Sequence, residues 1–410
     1  MRNFTIPRPR RAPWRRRLIL APLLCLLLSQ AQCAGLLGDE DENDILADII
    51  RYNLATLCRS VDDCYMLFAG QAASVSGSSL QIYRRDGTQL YARDVGALTR
   101  TTYGPIFSAS KWMTAAVILA VIEDGGIASP FDLSLTTGTA LGWTGTKGTI
   151  TMRQLLSFTS GLRENDRTSG SNACIQELPD GASTAQKNAC IESIRTSTAD
   201  DAPGAFFVYN SNHMAVAQRI AEIRTGLTWE QLFVNYLAGP AKLGFDTSRA
   251  KWYANIRNQS GDGSLAGAYG LRLSAAEYMR FNLMLLNDGV YNGTTILSSA
   301  SVSALLQDQY DSGTELLYSQ FAAFGYRWQY GLGNWRQCNT PANVALCDLE
   351  VQNHSFGANG FYPWIDRARG YAAVVGADIS GGFIIPNAAG SLFLGEDVKR
   401  NLSQLLSATP

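Results

Sequence analysis

Histidine and charged side chains are scarce in this 410-residue chain. Only two histidines occur, and no two cysteines stand in a C-x-x-C pattern, so the common ligand sets of a zinc site are missing. The chain also lacks the G-x-S-x-G pattern, so a strand-to-helix nucleophile elbow has no candidate. We therefore expect a site that contains no metal and no other cofactor.

Charge is distributed unevenly along the chain. Charged residues make up 17% of the sequence, apolar residues 46% and aromatic residues 10%, which is too apolar for a disordered chain. The formal net charge of −1 combines 34 basic with 35 acidic residues. Seven of the arginines lie within the first 17 residues, so the rest of the chain has 27 bases against 35 acids and a charge of −8. Nucleic acid and anionic membranes would repel this acidic body, and we expect neither as a partner.

Residues 1–33 have the order of a secretory signal peptide. The Arg-rich start is followed by an apolar run from Leu18 to Leu28 and then by small residues around Cys33. The run is shorter than the roughly 20 residues that a helix needs to cross a bilayer, which favours cleavage near Cys33 over an uncleaved membrane anchor. A mitochondrial targeting sequence is the other alternative. After cleavage we expect residues 34–44 to form an acidic, mobile segment, and we expect no stable membrane insertion.

The cysteines outside this leader favour an oxidising compartment. They form three local pairs, separated by 6, 16 and 9 residues, which are Cys58 and Cys64, Cys174 and Cys190, and Cys338 and Cys347. Local pairs suit disulfides that close loops, although six cysteines allow fifteen pairings and the sequence leaves the connectivity open. Four N-x-S/T sequons are compatible with a glycosylated secreted protein, at Asn258, Asn292, Asn353 and Asn401. Secretion is therefore the favoured destination.

Strand patterns lie towards both ends of the chain, and helical patterns lie between them. Residues 79–92 and 360–376 each have the pattern of a hairpin, and the apolar stretch from Trp112 to Ile122 is typical of a buried helix. We expect an α/β fold in which both ends build one sheet and a helical region is inserted. The predicted domain covers residues 45–405, with an α/β part at residues 45–125 and 320–405 and a helical insert at residues 126–319.

The segment Phe107-Ser-Ala-Ser-Lys111 at the start of that helix carries the candidate chemistry. A serine at a helix N-terminus lies near backbone N–H groups that favour a developing anion, and a lysine three residues later returns to the same helical face. A lysine held away from water has a lowered pKa and can take the proton of the serine. The alternative is a capping serine beside a lysine that extends to solvent. An apolar helix that begins with lysine needs a buried partner for it, which favours catalysis by Ser108 and Lys111.

Two other patterns compete with this interpretation. Ser248 and Lys251 have the same spacing, but they follow a polar loop, and we expect them at the surface. His213 is a candidate base for a Ser-His-Asp triad, although a histidine beside a helix is more often a structural group.

Three motifs in order resemble those of the serine β-lactamase-related superfamily. They are the segments at residues 107–111, 150–162 and 203–211. This superfamily includes class C β-lactamases, DD-peptidases, family VIII esterases and 6-aminohexanoate-oligomer hydrolases, and the resemblance runs from about residue 79 to residue 390. It implies a β-lactamase/DD-peptidase-like α/β fold, in which an antiparallel sheet from both chain ends lies beside an all-helical region. The active site would lie in the cleft between the two.

The resemblance also implies roles for individual residues. Ser108 matches the acylated nucleophile and Lys111 its activating partner. Tyr209 matches the tyrosine of a Y-x-N motif that helps to transfer the proton. Ser211 stands where this motif usually has asparagine, and its hydroxyl can still donate to a substrate carbonyl.

The third motif departs further from the family pattern. Its best match begins at Ser355, where a lysine or histidine is usual, and His354 one residue earlier points to the opposite face of a strand. The resemblance assigns substrate binding to Ser355 and Gly357, and the oxyanion hole to the backbone N–H groups of Ser108 and Ala358. The missing cation disfavours substrates that are anchored there by a carboxylate. It favours neutral esters, amides or lactones.

These features together predict a secreted serine hydrolase that forms an acyl-enzyme with a small-molecule or peptide substrate. One alternative is an activity like that of a β-lactamase or a DD-carboxypeptidase. Another is a non-catalytic member of the superfamily that binds ligands or forms filaments. The presence of Ser108, Lys111 and Tyr209 together argues against this last alternative.

Overall fold

A computed structural model describes most of the chain from Cys58 onwards. The described residues are 58–71, 77–163, 170–311, 313–319, 321, 326, 328–339, 351–379 and 385–407, and they fall in a single unit that extends from Cys58 to Pro410. The predicted signal peptide at 1–33, the predicted acidic segment at 34–44 and the first part of the predicted domain, 45–57, lie outside the described residues.

Helices and strands alternate irregularly along the described residues. The helices are α1 (Val61–Gln71), α2 (Ser110–Glu123), α3 (Thr137–Leu141), α4 (Gly145–Gly148), α5 (Met152–Leu156), α6 (Cys174–Glu177), α7 (Thr184–Ser197), α8 (Asn212–Thr225), α9 (Trp229–Phe233), α10 (Ala275–Leu286), α11 (Ser299–Leu306) and α12 (Ile385–Ser407). The strands are β1 (Gly77–Arg84), β2 (Gln89–Gly96), β3 (Gly104–Pro105), β4 (Phe206–Val208), β5 (Lys251–Asn255), β6 (Ser260–Asp262), β7 (Leu271–Leu273), β8 (Val290–Tyr291), β9 (Thr294–Thr295), β10 (Glu315–Tyr318), β11 (Trp328–Tyr330), β12 (Trp335–Asn339), β13 (Gln352–His354), β14 (Tyr362–Asp366) and β15 (Tyr371–Ala377). Within the described ranges, no helix combines the length and the apolar character needed to cross a membrane.

A seven-stranded sheet contains strands from both ends of the described chain. Its order is β11-β12-β13-β14-β15-β1-β2, and every neighbouring pair is antiparallel. Both predicted hairpins are confirmed, as β1 with β2 and as β14 with β15. In the first hairpin Gly87 adopts a φ of 86°, which a glycine accepts without steric cost. Because β15 pairs with β1, the two ends of the described chain meet within the sheet, as predicted.

Helices cover this sheet and connect it to the rest of the molecule. Every residue of β15 is buried, as expected for a strand with both faces covered. α1 packs against α12, and the hydroxyl of Tyr65 in α1 donates to the carbonyl of Ser78 in β1 at 2.7 Å. α10 contacts β14 and β15, where Asn282 donates to the carbonyls of Trp364 and Ala373 at 3.2 and 3.1 Å. The helices therefore bond directly to the backbone of the central strands.

The inserted region is mainly helical, but the expectation that it is helical throughout is wrong. Between residues 126 and 319, β4 pairs in parallel with β10. β5, β6 and β7 join β3 in a four-stranded sheet. These strands are two to five residues long. Such short segments contain too little alternation for the sequence to distinguish them from loops.

Two of the three expected disulfides are present. Cys58 is bonded to Cys64, and Cys174 is bonded to Cys190, which confirms local pairing for these four residues. The predicted pairing of Cys338 with Cys347 lies outside the described side chains. The second disulfide joins the start of α6 to the middle of α7.

The four sequons lie in different environments. Asn258 and Asn292 are exposed. Asn353 is buried in β13, where its Nδ2 donates to the carbonyl of Leu306 and to the side chain of Asn334 at 3.0 and 2.8 Å. The Nδ2 of Asn401, which is half-buried in α12, donates to the carbonyl of Asp397 at 3.0 Å. A glycan on Asn353 would replace one of the two N–H groups that make these hydrogen bonds, and it would have to be attached to a buried side chain, so this sequon is unsuited to glycosylation in the folded protein.

We predict that the double substitution Cys174→Ala and Cys190→Ala lowers the free energy of unfolding by about 3 kcal/mol, because it releases a long loop in the unfolded chain. The matched pair Cys58→Ala and Cys64→Ala opens a shorter loop and should cost about 2 kcal/mol. Urea unfolding without reductant measures both values. An equal or larger loss for the shorter loop would contradict the assignment of the stabilisation to loop closure.

Candidate active site

Ser108 lies at the point where an extended segment turns into the buried helix α2. It occupies a 3-10 turn, Phe107–Ala109, which leads directly into α2. Twelve consecutive residues of α2, from Ser110 to Val121, are buried, as expected for a helix that is apolar on nearly every face. Ser108 itself is only half-buried. The candidate nucleophile therefore keeps access to solvent while the helix that carries it is enclosed.

The residue before Ser108 has a strained backbone. Phe107 adopts a φ of 46°, in the left-handed region that bulky residues rarely occupy. Such a conformation costs about 1–3 kcal/mol and persists only when surrounding contacts hold it in place. The left-handed conformation of Phe107 changes the direction of the chain between β3 and Ser108.

Three side chains from distant parts of the chain hold this strained segment. The hydroxyl of Tyr278 in α10 donates to the carbonyl of Ala109 at 2.8 Å. The Nδ2 of Asn359 donates to the carbonyl of Pro105 at 2.6 Å. The hydroxyl of Ser355 donates to the carbonyl of Ser108 at 2.9 Å. The backbone on both sides of Ser108 is therefore held by the sheet and by α10, which offsets the cost of the left-handed residue.

Lys111 places its amine beside the hydroxyl of Ser108. The distance from Lys111 Nζ to Ser108 Oγ is 2.9 Å, and Nζ also donates to the carbonyl of Ala268 at 2.7 Å. Lys111 is only 2% exposed. Burial lowers its pKa from 10.5 to about 7, because the charged ammonium loses its water and has no carboxylate in exchange among these contacts. Near neutral pH a large fraction of the amine is therefore unprotonated.

Tyr209 lies on the other side of this amine. Lys111 Nζ is 4.6 Å from the centre of the Tyr209 ring and 6.0 Å from that of Phe158. The Tyr209 ring is stacked on Trp335 at 5.3 Å and meets Phe158 edge-on at 5.2 Å. These rings form an apolar wall around the amine, which explains why Lys111 is so strongly desolvated. Ser108, Lys111 and Tyr209 are thus brought together from two separate segments.

His213, the alternative base, is a structural group. Its ring is fully buried and lies parallel to Phe158 at 4.9 Å. One ring nitrogen contacts Ser160 Oγ at 2.7 Å, and the other contacts the carbonyl of Val208 at 2.8 Å. Burial lowers the pKa of His213 to about 3, so the ring is neutral. With both nitrogens engaged away from Ser108, His213 instead holds the strand that ends just before Tyr209.

Asn210 and Ser211, the last two residues of the second motif, lie in different environments. Asn210 is buried, and its Nδ2 donates to the carbonyl of Leu162 at 3.0 Å. Ser211 is half-buried at the start of α8, and its backbone N–H donates to Ser171 Oγ at 2.8 Å. The side chain of Asn210 is therefore held by a structural contact, whereas Ser211 is the partly exposed residue of the two.

The third motif approaches Ser108 closely. Ser355 is 3% exposed, and its hydroxyl bonds to the backbone of Ser108. A side chain at position 357 would overlap the carbonyl oxygen of Ile106, so only glycine permits this approach. The N–H of Gly357 donates to the carbonyl of Phe361 at 2.8 Å, and the next residue, Ala358, is exposed at the tip of the loop. Ser355 thus faces the backbone of the nucleophile, and Ala358 is the exposed member of the predicted oxyanion pair.

His354 lies away from this site, as the strand alternation predicts. It is fully buried among the rings of Phe321, Trp328 and Tyr362, at 5.8, 5.1 and 5.2 Å. Neither ring nitrogen has a hydrogen-bond partner within the part of the chain that the structure describes. Burial lowers the pKa of His354 to about 3. This neutral ring does not replace the cation that the third motif lacks.

Some residues of the site had no signal in the sequence. Ala268 contributes only its carbonyl, which any residue type supplies. Tyr278 and Asn359 act on the backbone of residues that are far away in the chain, so no local pattern marks them. Phe158 and Trp335 are aromatic residues of a kind found in any core, and only the position of Phe158 near Lys111 and of Trp335 against Tyr209 connects them with the site.

Comparison with known proteins places the chain in a family. A family model described as Beta-lactamase matches residues 68–383, which is most of the chain. No curated protein matches the chain significantly in sequence.

Several solved structures share this fold. A protein from Bacteroides dorei DSM 17855 that is assigned as a beta-lactamase is 25% identical, with a TM-score of 0.66 over 83% of this chain and 97% of its own. The hydrolase EstCE1, which has promiscuous acyltransferase activity, is 18% identical, with a TM-score of 0.62 over 82% of this chain and 98% of its own. The LovD9 mutant of simvastatin synthase from Aspergillus terreus is 18% identical, with a TM-score of 0.58 over 83% and 100%. The fold class predicted from sequence is confirmed.

The lowered pKa of Lys111 predicts a pH-dependent cost to stability. Between pH 7 and 10.5 the unfolded chain holds a proton that the folded protein has released, so stability rises with pH by up to about 1.4 kcal/mol per unit. The neutral variant Lys111→Met lacks this cost and should be more stable than the parent at pH 7, with a difference that shrinks towards pH 9. Denaturant unfolding at several pH values measures this difference.

Lys251→Met is the matched control, because Lys251 is the half-buried lysine of the competing S-x-x-K spacing. A stability difference for Lys111→Met that varies with pH no more than the difference for Lys251→Met would contradict the lowered pKa of Lys111.

Proposed function

Because this chain belongs to the beta-lactamase family, a family of serine hydrolases, we propose that it hydrolyses an ester, amide or lactone through an acyl-enzyme formed on Ser108. The substrate is a small molecule or a peptide. The observation that carries the proposal is the buried amine of Lys111, which lies 2.9 Å from Ser108 Oγ and has a pKa of about 7. A structural lysine would gain nothing from such a position.

The first step is attack by Ser108 on the substrate carbonyl. In its neutral form Lys111 has one lone pair and two N–H groups. One N–H donates to the carbonyl of Ala268, and this bond orients the lone pair for the proton of Ser108 Oγ. As the new C–O bond forms, the proton moves to Lys111 Nζ. Tyr209 contacts the same amine and is the candidate to pass the proton to the leaving group.

The negative charge that develops on the carbonyl oxygen needs donors in fixed positions. We assign this role to the backbone N–H groups of Ser108 and Ala358, with Ser108 at the end of the clamped segment and Ala358 at the exposed loop tip. Donors that are already oriented contribute a few kcal/mol each to acyl transfer. The hydrogen bonds to the carbonyls of Pro105, Ser108 and Ala109 hold these donors in position when the substrate leaves.

Release of the acyl group follows by the same route in reverse. The leaving group departs with a proton, and Lys111 is neutral again. A water molecule that enters the vacated position gives its proton to Lys111, directly or through Tyr209 as Tyr209 passes its own proton to Lys111, and attacks the ester of Ser108. Collapse of this second intermediate returns the proton to Ser108 Oγ.

The third motif supports a substrate that is neutral at this position. Ser355 occupies the place of the usual cation, and its hydroxyl is already bonded to the carbonyl of Ser108. β-Lactam and D-Ala-D-Ala substrates would need a carboxylate anchor there, so esters, amides and lactones are favoured. We also propose secretion, which the two disulfides support.

Replacement of the nucleophile tests the proposal directly. We predict that Ser108→Ala lowers kcat/KM for p-nitrophenyl esters by at least about 10⁴-fold and abolishes labelling by a serine-directed fluorophosphonate, because Ser108 Oγ is the serine hydroxyl that lies 2.9 Å from Lys111 Nζ. Ser248→Ala, at the competing S-x-x-K spacing, is the matched control and should keep full activity and labelling. A Ser108→Ala protein that still turns over and labels would disprove the assignment. Wild-type protein that neither turns over nor labels would favour a non-catalytic function.

The proposal also predicts a pH profile. With Lys111 as the base, kcat/KM should rise about tenfold per pH unit below pH 7 and level off above it, since the unprotonated amine is the active form. Lys111→Arg places a cation at the same position that stays protonated, and it should be inactive at every pH. A profile with no inflection between pH 6 and 8 would exclude Lys111 as the first base.

A further inference from the structure

A cavity of about 320 Å³ lies beside the nucleophile segment and is not used by the mechanism above. It is lined by Ala97, Leu98, Thr102, Tyr103, Gly104, Pro105, Arg257, Arg272 and Asp378. β3 forms one wall, and β7 contributes Arg272 to another. The cavity is therefore built at the seam between the small sheet and the end of β15, from segments that are far apart in the chain.

The charged groups of the cavity are unbalanced. Two guanidinium groups, of Arg257 and Arg272, face one carboxylate, of Asp378. Arg257 pairs with Asp378 at 3.4 Å. Arg272 instead donates to the carbonyls of Ile256 and Tyr103 at 3.3 and 3.4 Å, long distances that leave its charge without a carboxylate partner among these contacts. The lining thus carries one positive charge in excess.

The electrostatics of Arg272 point in the same direction. Burial lowers its pKa, Tyr253 and Asp378 oppose this in part, and the nearby charge of Arg257 lowers the pKa as well. Burial and the charge of Arg257 are both unfavourable for a charge that only supports the fold. An anion between the two guanidinium groups would relieve both, and the planar fork of arginine matches a carboxylate in a bidentate geometry.

The cavity is connected to the nucleophile by direct contacts. The guanidinium of Arg257 lies 5.0 Å from the ring centre of Phe107, the strained residue before Ser108. Pro105 lines the cavity, and its carbonyl accepts the bond from Asn359 that helps to hold the nucleophile segment. Asn359 also contacts Asp378 at 3.3 Å. A group bound in the cavity would therefore lie next to the segment that positions Ser108.

We propose that Arg257 and Arg272 bind a carboxylate of the substrate, so that the hydrolysed ester, amide or lactone is monoanionic and is held by its charge from this cavity. This inference rests on the proposed function. The substrate would be neutral where it meets the third motif and would carry its carboxylate at the opposite end. A monoanion fits the single excess positive charge of the lining, whereas a doubly charged phosphate would leave a negative charge beside Asp378.

Matched chromogenic esters test this proposal. One series has the carboxylate on the acyl part, as mono-p-nitrophenyl esters of adipic, suberic and sebacic acid, with p-nitrophenyl hexanoate, octanoate and decanoate as neutral partners. A second series has it on the leaving group, as esters of 5-hydroxy-2-nitrobenzoic acid compared with esters of p-nitrophenol. We expect kcat/KM to be at least about tenfold higher for the acidic member in one of the series, since one charge-assisted pair contributes this much.

Substitutions separate charge recognition from structural damage. Arg272→Gln should lower kcat/KM for the acidic ester at least about tenfold more than kcat/KM for its neutral partner, whereas Arg272→Lys should keep part of the preference. Arg195→Gln is the control, because Arg195 pairs with Glu192 on α7 and does not line the cavity. The proposal is overturned if neither series shows the preference for the acidic ester, or if Arg272→Gln lowers kcat/KM for the acidic and the neutral ester equally.

A binding measurement distinguishes failure of this inference from failure of the proposed function. Calorimetric titration of Ser108→Ala protein with glutaramate, which carries one carboxylate, and with the neutral glutaramide needs no turnover. Binding of glutaramate alone, weakened about tenfold by Arg272→Gln and by added salt, would support the carboxylate site even if no ester were hydrolysed. Equal behaviour of glutaramate and glutaramide would overturn it even in an active hydrolase.

Discussion

The burial of one uncharged amine is the constraint on which the described site depends. Lys111 is enclosed by the rings of Phe158 and Tyr209, and its contacts are a hydroxyl and a carbonyl. A carboxylate in this position would pair with the lysine and keep it protonated, whereas an apolar wall makes the neutral form accessible near pH 7. The aromatic residues around Tyr209 therefore have an electrostatic effect, although each of them looks like core packing.

The same environment explains why Ser108 has to be held by other parts of the chain. A neutral amine makes a hydrogen bond without charge assistance, weaker than that of an ammonium, so the position of Ser108 depends also on its backbone. That backbone includes a left-handed phenylalanine and is bonded by Tyr278, Ser355 and Asn359. The residues proposed to react are thus different from the residues that hold the backbone in place. The latter come from elements that are distant in sequence.

Features that depend on local sequence could be predicted, whereas features that depend on distant contacts could not. The hairpins and the buried helix depend on local alternation and apolar periodicity, so the predictions for residues 79–92, 360–376 and 112–122 are confirmed. The short strands of the insert depend on pairing with distant partners, which no local pattern records. Ser355 was assigned to substrate binding, and its motif gave no sign that its hydroxyl also bonds to the carbonyl of Ser108. A motif identifies which residues meet at a site, but the atom that each one contacts is decided by tertiary packing.

The pairing of β1 with β15 has a consequence for the order in which the protein assembles. Ser78 lies opposite Ala377 in that pair, and Ser355 reaches Ser108 across 247 residues of chain. Contacts of such separation close late in folding, because a long loop must first be brought together. Ribosomes release the N-terminal half, including Ser108 and Lys111, long before the strands that hold them exist. A chain interrupted before β13 would therefore contain Ser108 and Lys111 but lack the hydrogen bond from Ser355, and the complete site would form only after β13 and the loop that follows it have been synthesised.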